Sequence, residues 1–142
     1  MYNEMEIRFL SLSGNEGFAR AVASAFASQM NPTIEALSDI RTAVSEAVTN
    51  AIIHGYEQHT DQTVVMRMTI RDDVLSVEVH DDGCGIGDIE LARKPFYTSK
   101  PELERSGMGF SVMEAFMDRL TVESDLGKGT TVRMQKRICH GN

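Results

Sequence analysis

The sequence predicts an α+β domain in which a mostly antiparallel sheet carries its helices on one face. Two pairs of strand-like segments, each joined by a short turn, support this: TVVMRMTIR with VLSVEVH, and LTVES with TTVRMQKR. Consecutive hairpins favour antiparallel pairing, whereas a doubly wound parallel sheet needs a helix between successive strands. Two helical segments precede the first hairpin and a third separates the hairpins. The 142 residues suit one domain, 1–142, with the order β-α-α-β-β-lid-α-β-β.

Composition and charge argue against several classes of protein. The formal net charge of -7 opposes non-specific binding to nucleic acid or to an anionic membrane. The first residues, MYNEMEIRFL, lack the pattern of a signal peptide, and no apolar run approaches the roughly 20 residues that span a bilayer. Cys84 and Cys139 form no disulfide framework, and no Cys/His cluster has zinc spacing. We therefore expect a cytoplasmic protein.

The first strand and the first helix are predicted from the pattern of the N-terminal third. Met5, Ile7 and Phe9 alternate with polar residues, as in a strand that is buried on one face. The segment SGNEG is a turn, and Asn15 is expected to cap a helix that runs to about Met30.

That helix is expected to bury one apolar face, formed by Phe18, Val22, Ala25 and Phe26. The opposite side is poor in charge for a solvated surface and contains Arg20, Ala23 and Ala27. Either the rest of the domain covers this side, or it is a partner-docking face centred on Arg20.

A second, longer helix is predicted to begin after Thr33 and to end at Gly55. Its apolar arc comprises Ile34, Leu37, Ile40, Val44, Val48, Ala51 and Ile52. At about 100° per residue, Glu46 and Asn50 lie roughly 120 to 160° from the centre of this arc. They belong either to an ordinary solvated face or to the wall of a site. His54, in the last turn, is interpreted as structural.

Two glycine-rich segments are candidates for contact with a ligand. DDGCGIG follows a predicted strand, and its alternating glycines permit either a tight strand exit or close approach of a ligand to the backbone. It does not match the dinucleotide fingerprint, and GKGT is not a P-loop. The second segment, SGMGF, opens a helix whose free N–H groups attract phosphate. It follows a predicted lid, about 88–106, that contains Lys100 and Arg105.

Together these segments are consistent with a nucleotide site that has no P-loop. The carboxylate of Asp81 can accept a hydrogen bond from the exocyclic amine of adenine. Asn50 offers a neutral oxygen to Mg²⁺, which takes few protein ligands beside phosphates and waters. Glu46, one helical turn earlier, can take a proton from a hydroxyl or a water near the γ-phosphate.

The same segments resemble the boxes of the GHKL (Bergerat-fold) ATP-binding superfamily. EAVTNA is similar to the N-box, DDGCG to the first glycine box and GMG to the second, while Thr130 in GKGTTV matches the strand residue that supports the adenine-binding aspartate. The resemblance implies a two-layer α/β sandwich that binds ATP and Mg²⁺, with Asn50 as the Mg²⁺ ligand. It implies Glu46 and Arg105 as catalytic residues. The ATP-binding residues that it implies are Asn50, Asp81, Gly83, Gly85, Ile86, Thr98, Lys100, Gly107, Met108, Gly109 and Thr130.

Within the superfamily the chain most resembles the anti-sigma-factor serine kinases, most clearly in VSEAVTNAIIHGY and KPFYTSKPELERSGMGF. This resemblance implies a homodimer that binds and inhibits a sporulation sigma factor with ATP. It also implies phosphorylation of a serine on an anti-anti-sigma protein. Cys84 and Tyr97 are mild departures from the pattern, and Cys84 is interpreted as a small filler.

Three alternatives remain at this stage. A histidine-kinase catalytic domain would follow a dimerisation helix with a phosphoacceptor histidine, whereas this sequence begins with a strand. A nucleotide-gated sigma-binding module without kinase activity would keep Asn50 and Asp81 but would not need Glu46. A stand-alone ATPase of the gyrase kind would need further domains to use its lid.

Overall fold

Five strands form one antiparallel sheet in the computed structural model, which describes residues 1–56, 59–93 and 109–139. The spatial order is β1-β2-β3-β5-β4, and every neighbouring pair is antiparallel. The predicted fold class and both predicted hairpins are therefore confirmed. The strands are β1 (Tyr2–Leu10), β2 (Thr63–Arg71), β3 (Val74–Asp81), β4 (Arg119–Asp125) and β5 (Gly129–Arg137).

The described helices are α1 (Asn15–Ala27), α2 (Ile34–Thr49), α3 (Ile89–Ala92) and α4 (Gly109–Phe116). Of these, α1, α2 and α4 lie at predicted places in the chain, whereas α3 lies in the segment about 88–106, for which a lid and no helix was predicted. A 3₁₀ turn, Ser28–Met30, follows α1, and a π-helical segment, Asn50–Gly55, continues α2. Thr33 caps α2 as predicted, because its hydroxyl oxygen accepts a hydrogen bond of 3.1 Å from the backbone N–H of Ala36.

The core lies between the sheet and its helices, with α2 packed against both α1 and α4. Strand alternation decides which side chains enter this core: on β3 the buried positions are Leu75, Val77, Val79 and Asp81. The matching apolar arc of α2 is buried at Ile40, Val44, Val48, Ala51 and Ile52. No described helix is both long and apolar enough to cross a membrane.

The face predicted for α1 is wrong in part. Ala23 and Ala27, expected on the outer side, are fully buried, whereas Phe18 is 53% exposed and Ala25 is also exposed. Small side chains let α1 approach α2 closely, and a phenylalanine at that contact would hold the helices apart. Phe26 is buried as expected. The charge-poor side of α1 is thus covered by the domain itself.

Three smaller expectations also fail. Gly14 is the N-cap of α1, because the amide of Asn15 is used to donate a hydrogen bond of 2.8 Å to the carbonyl of Leu10. Ile34 is 90% exposed, since it is the first residue of α2 and precedes the turns that contact the core. The helical pattern of GMGFSVMEAFMDRL predicts a last helix that extends to Leu120, but its described part ends at Phe116 and β4 begins at Arg119.

The outer face of the sheet carries a row of alternating charges that crosses all five strands. Arg67 contacts Glu6 at 2.5 Å and Glu78 at 3.4 Å, and Arg133 contacts Glu78 at 2.8 Å and Glu123 at 2.6 Å. Each contact joins residues on neighbouring strands, where opposite charges stabilise the pairing. This row accounts for the polar half of the strand alternation.

Candidate functional site

The site centres on Asp81, a carboxylate buried at the end of β3. Asp81 occupies the next core-facing position after Val79 and is 2% exposed. Burial raises its pKa from an ordinary 3.8 to about 6. The N–H of Gly83, which donates to Asp81 Oδ1 at 2.9 Å, opposes this rise, as does the nearby His80. Burial thus makes ionisation of Asp81 costly, and backbone donors offset part of this cost.

Three glycines allow the backbone to close around this carboxylate. A Cβ at Gly55 would lie 2.6 Å from Asp81 Oδ1, and a Cβ at Gly83 would collide with the Gly55 carbonyl oxygen. Gly129 has a φ of +93°, and a Cβ there would collide with the Asp81 carbonyl. Any larger residue at these positions would therefore disrupt the surroundings of Asp81.

The first glycine box links the end of the helical layer to the β4–β5 turn. Cys84 N–H donates to the Gly55 carbonyl at 2.8 Å, and its Sγ lies 3.0 Å from the His54 carbonyl oxygen. On the other side, Gly127 N–H donates to the Cys84 carbonyl at 2.7 Å. Gly85 has a φ of +75°, where side chains are strained. The box is fixed by its backbone, which agrees with the interpretation of Cys84 as a small filler.

Thr130 and Ser124 extend the site across the two neighbouring strands. Thr130 lies directly opposite Asp81 on β5, and Ser124 lies directly opposite Thr130 on β4. Thr130 is 3% exposed, and its Oγ1 is 2.8 Å from Ser124 Oγ. Ser124 also receives a hydrogen bond of 2.7 Å from the N–H of Ile86, in the first glycine box. Ser124 was missed by the sequence analysis.

The end of α2 brings the polar residues of the second helix towards the same place. Glu46 and Asn50 are both half-buried, and Asn50 is the first residue of the π-helical segment that ends at Gly55 against Asp81. π-Helical turns are rare and often occur at functional sites. The turn changes the helical period after Asn50, so the angle of 100° per residue does not apply to His54.

Tyr56 is a second residue that the sequence analysis missed. It is buried, and its hydroxyl donates to the Thr63 carbonyl at 2.6 Å while accepting from the Asp82 N–H, also at 2.6 Å. Burial is the largest cause that raises the pKa of this phenol. Tyr56 thus fixes the position of the backbone directly after Asp81. The only sequence signal for this role is an aromatic residue in an otherwise loop-like segment.

Arg20, predicted as a partner-binding residue, lies beside α2 and not at the centre of an open face. Its Nη1 is 3.3 Å from Glu16 Oε1 and 3.5 Å from Ser45 Oγ, and its side chain is 42% exposed. It is therefore accessible and lies near the residue that precedes Glu46.

The structure connects some, not all, of the predicted residues that lie on described elements: Glu46 lies on α2 and Asn50 at the start of the π-helical segment. Asp81, Gly83, Gly85, Ile86 and Thr130 form one connected group, and Gly109 is the first described residue of α4. The remaining predicted residues lie outside the described residues: Thr98, Lys100, Arg105, Gly107 and Met108.

One observation bears on an adenine nucleotide. The buried carboxylate of Asp81 is surrounded by glycines, an arrangement that suits a ligand with a hydrogen-bond donor. Within the described ranges no three His, Cys, Asp or Glu side chains form a metal cluster.

Comparison with known proteins defines the class of the chain. The family described as histidine kinase-like ATPase domain matches residues 14–136. A solved structure of the RsbU and RsbW domains of a Mycobacterium tuberculosis protein superposes with a TM-score of 0.70 over 96% of this chain. The identity is 18% and the match covers 32% of that longer chain, so this likeness supports the fold alone. The chain belongs to the histidine kinase-like ATPase domain family.

Curated relatives narrow the assignment within that family. The chain is 58% identical over 138 residues to the anti-sigma F factor of Clostridium perfringens strain SM101, covering 97% of this chain and 99% of the relative. It is 53% identical over 139 residues to that of Geobacillus stearothermophilus, covering 98% and 95%. The anti-sigma F factor of Bacillus velezensis is 51% identical over 138 residues, covering 97% and 94%. Its place in the family is thus among the anti-sigma F factors.

Proposed function

We propose that this protein is an ATP-dependent anti-sigma factor and protein serine kinase. It binds and inhibits a sporulation sigma factor as a homodimer, and it phosphorylates a serine of an anti-anti-sigma antagonist. The observation that carries the proposal is the buried Asp81, enclosed by glycines, in a chain that is 58% identical to an anti-sigma F factor over nearly its full length.

Asp81 is proposed to bind the nucleobase and Asn50 the metal. The Asp81 carboxylate accepts a hydrogen bond from the amine of adenine, and Gly83 and Gly85 let the base approach the backbone. The amide oxygen of Asn50 is one ligand of Mg²⁺, which phosphates and waters complete. Support comes from the contact between the glycine at the end of the π-helical segment and Asp81.

Phosphoryl transfer requires chiefly positioning and charge neutralisation. Glu46, one turn before Asn50 on the same helix, orients the acceptor serine and takes its proton. Lys100, Arg105 and the helix start at 107–109 are proposed to neutralise the phosphates.

Arg20 is proposed to contact a protein partner, either the sigma factor or the antagonist. Its partly exposed guanidinium lies on α1, close to the helix that carries Glu46. A cation in this position can pair with an acidic side chain of the partner.

The kinase activity is tested with labelled ATP, Mg²⁺ and the candidate antagonist. The wild type should transfer label to a serine, and Glu46→Gln should reduce the rate about 10²- to 10⁴-fold. Glu35→Gln is the matched control, because Glu35 is an exposed carboxylate in the first turn of the same helix. If Glu46→Gln transfers label at the wild-type rate, its role as the base is wrong. If the wild type transfers no label while sigma binding still depends on ATP, the protein is a nucleotide-gated binding module.

Sigma binding is tested by pull-down with ATP and with ADP, followed by mass spectrometry of the bound proteins. Arg20→Ala should weaken capture of sigma factor or antagonist, whereas Arg41→Ala, an exposed arginine on α2, should not. Recovery of neither a sigma factor nor an antagonist would contradict the proposal.

A further inference from the structure

Ser124 makes three hydrogen-bond contacts that together determine the direction of the Ser124 and Thr130 hydroxyl protons. Its Oγ receives the N–H of Ile86 at 2.7 Å and lies 2.9 Å from the carbonyl oxygen of Gly129. Its third contact is the hydroxyl of Thr130, at 2.8 Å. A serine hydroxyl has one proton to donate and two lone pairs that accept.

Only one arrangement satisfies all three contacts. The Gly129 carbonyl can only accept, so Ser124 must donate its single proton to it, and the amide of Ile86 uses one Ser124 lone pair. The remaining lone pair of Ser124 can meet Thr130 only if Thr130 is the donor. The hydroxyl proton of Thr130 is thereby committed to Ser124, and its oxygen offers lone pairs to its other neighbours.

This arrangement matters because Thr130 lies directly opposite Asp81 on the core-facing side of the sheet. Side chains opposite each other on antiparallel strands have Cβ atoms about 4.5 to 5.5 Å apart. The Asp81 carboxylate and the Thr130 hydroxyl oxygen can then both accept a hydrogen bond from a donor that reaches this end of the sheet. A 6-amino purine supplies the matching donor, whereas the 6-oxo group of hypoxanthine is itself an acceptor.

We propose that Ser124 is a positioning residue for nucleobase selection: by fixing Thr130 as an acceptor, it increases the preference for 6-amino over 6-oxo purines. The inference rests on the proposed nucleotide function and adds a specificity element on β4. Without Ser124, the Thr130 hydroxyl can rotate and donate a hydrogen bond to a 6-oxo group. A 6-oxo purine therefore binds more tightly.

The test compares ATP with inosine triphosphate, since the two differ only at the purine 6-position and the adjoining N1. Dissociation constants in Mg²⁺ are measured by calorimetry for the wild type, Ser124→Ala and Ser124→Thr. Ser124→Ala should lower the ratio of the two constants about five- to tenfold, the value of one hydrogen bond, with most of the change in inosine triphosphate. Ser124→Thr retains the hydroxyl and should restore the ratio. Thr121→Ala, a hydroxyl on the opposite face of β4, should leave it unchanged.

A purely structural Ser124 would give a different result. If Ser124→Ala weakens both nucleotides equally, or leaves the ratio unchanged, the inference is overturned. Thr130→Val provides an independent check because it removes the acceptor itself. It should also lower the ratio, and the double variant should lower it no further, whereas an additive loss overturns the inference. A wild type that binds no ATP would instead contradict the proposed nucleotide function and remove the basis of this one.

Discussion

Replacing Asp81 by asparagine should stabilise the ligand-free protein at neutral pH while removing nucleotide binding. Asparagine has nearly the same shape and keeps an oxygen that can accept the Gly83 N–H. The substitution removes the negative charge, which burial disfavours. It also replaces one acceptor oxygen by an amide NH₂ group, a donor that cannot accept a hydrogen bond from the amine of adenine.

The magnitude follows from the pKa of Asp81, which burial raises from 3.8 to about 6. A difference of about 2 pKa units corresponds to roughly 3 kcal/mol of unfolding free energy, lost when the carboxylate ionises in the folded state. Because the folded pKa of this acid lies above the unfolded one, stability falls as the pH rises from about 4 through about 6. Above pH 6 the full cost applies. Asparagine loses the charge-assisted bond to Gly83, so the expected gain at pH 7 is about 1 to 3 kcal/mol.

The assay is chemical denaturation of both proteins at pH 5 and pH 7, with ATP titration at pH 7. The stability advantage of Asp81→Asn should shrink by roughly 1 kcal/mol at pH 5, where the wild-type carboxyl is mostly protonated. Asp82→Asn, a change at the exposed neighbour, should shift stability by less than about 0.5 kcal/mol. An Asp81→Asn protein that is less stable than the wild type at pH 7, with a difference that does not vary with pH, would refute this reasoning.

Three further perturbations test the packing. Gly83→Ala should lower the unfolding free energy by about 1 to 3 kcal/mol and abolish ATP binding, because its Cβ collides with the backbone. Gly14→Ala, where the added Cβ lies in open space, should do neither. Equal effects of the two substitutions on stability would contradict the collision. In chemical denaturation, replacing the buried Phe26 by alanine should lower the unfolding free energy by about 3 kcal/mol, and replacing the exposed Phe18 by alanine should lower it by less than about 0.5 kcal/mol. The reverse order would contradict the observed buried face of α1. Glu78→Gln should lower the melting temperature more at low salt (about 0.02 M) than at high salt (about 1 M), because it removes the negative charge between Arg67 and Arg133. A decrease that does not depend on salt would rule out an electrostatic cause.

Local patterns predicted the elements because each depends on neighbours in the sequence. Alternation predicted the strands, Thr33 the start of α2, and Gly55 the end of the π-helical segment that continues α2. The face of α1 could not be predicted in the same way. Phe18 is more hydrophobic than Ala23, but the approach of α1 to α2 favours the smaller residue at the contact, and this geometry depends on the whole fold.

The residues of the site also divide into those that sequence neighbours identify and those whose role depends on the whole fold. Asp81, Gly83 and Gly85 could be predicted because they stand together in the sequence, whereas the approach of Gly55 and Gly129 to Asp81 depends on the fold. Ser124 contacts Thr130, which lies opposite Asp81, and this relation depends on the spatial order β3-β5-β4, which differs from the order of these strands along the chain. One signal was nevertheless available. The core-facing alternation of β3 through Leu75 and Val79 ends at Asp81, and a carboxylate at a core position is costly unless something binds it. The strand pattern therefore marks Asp81 as a buried carboxylate that requires hydrogen-bond donors, of which the Gly83 N–H is one.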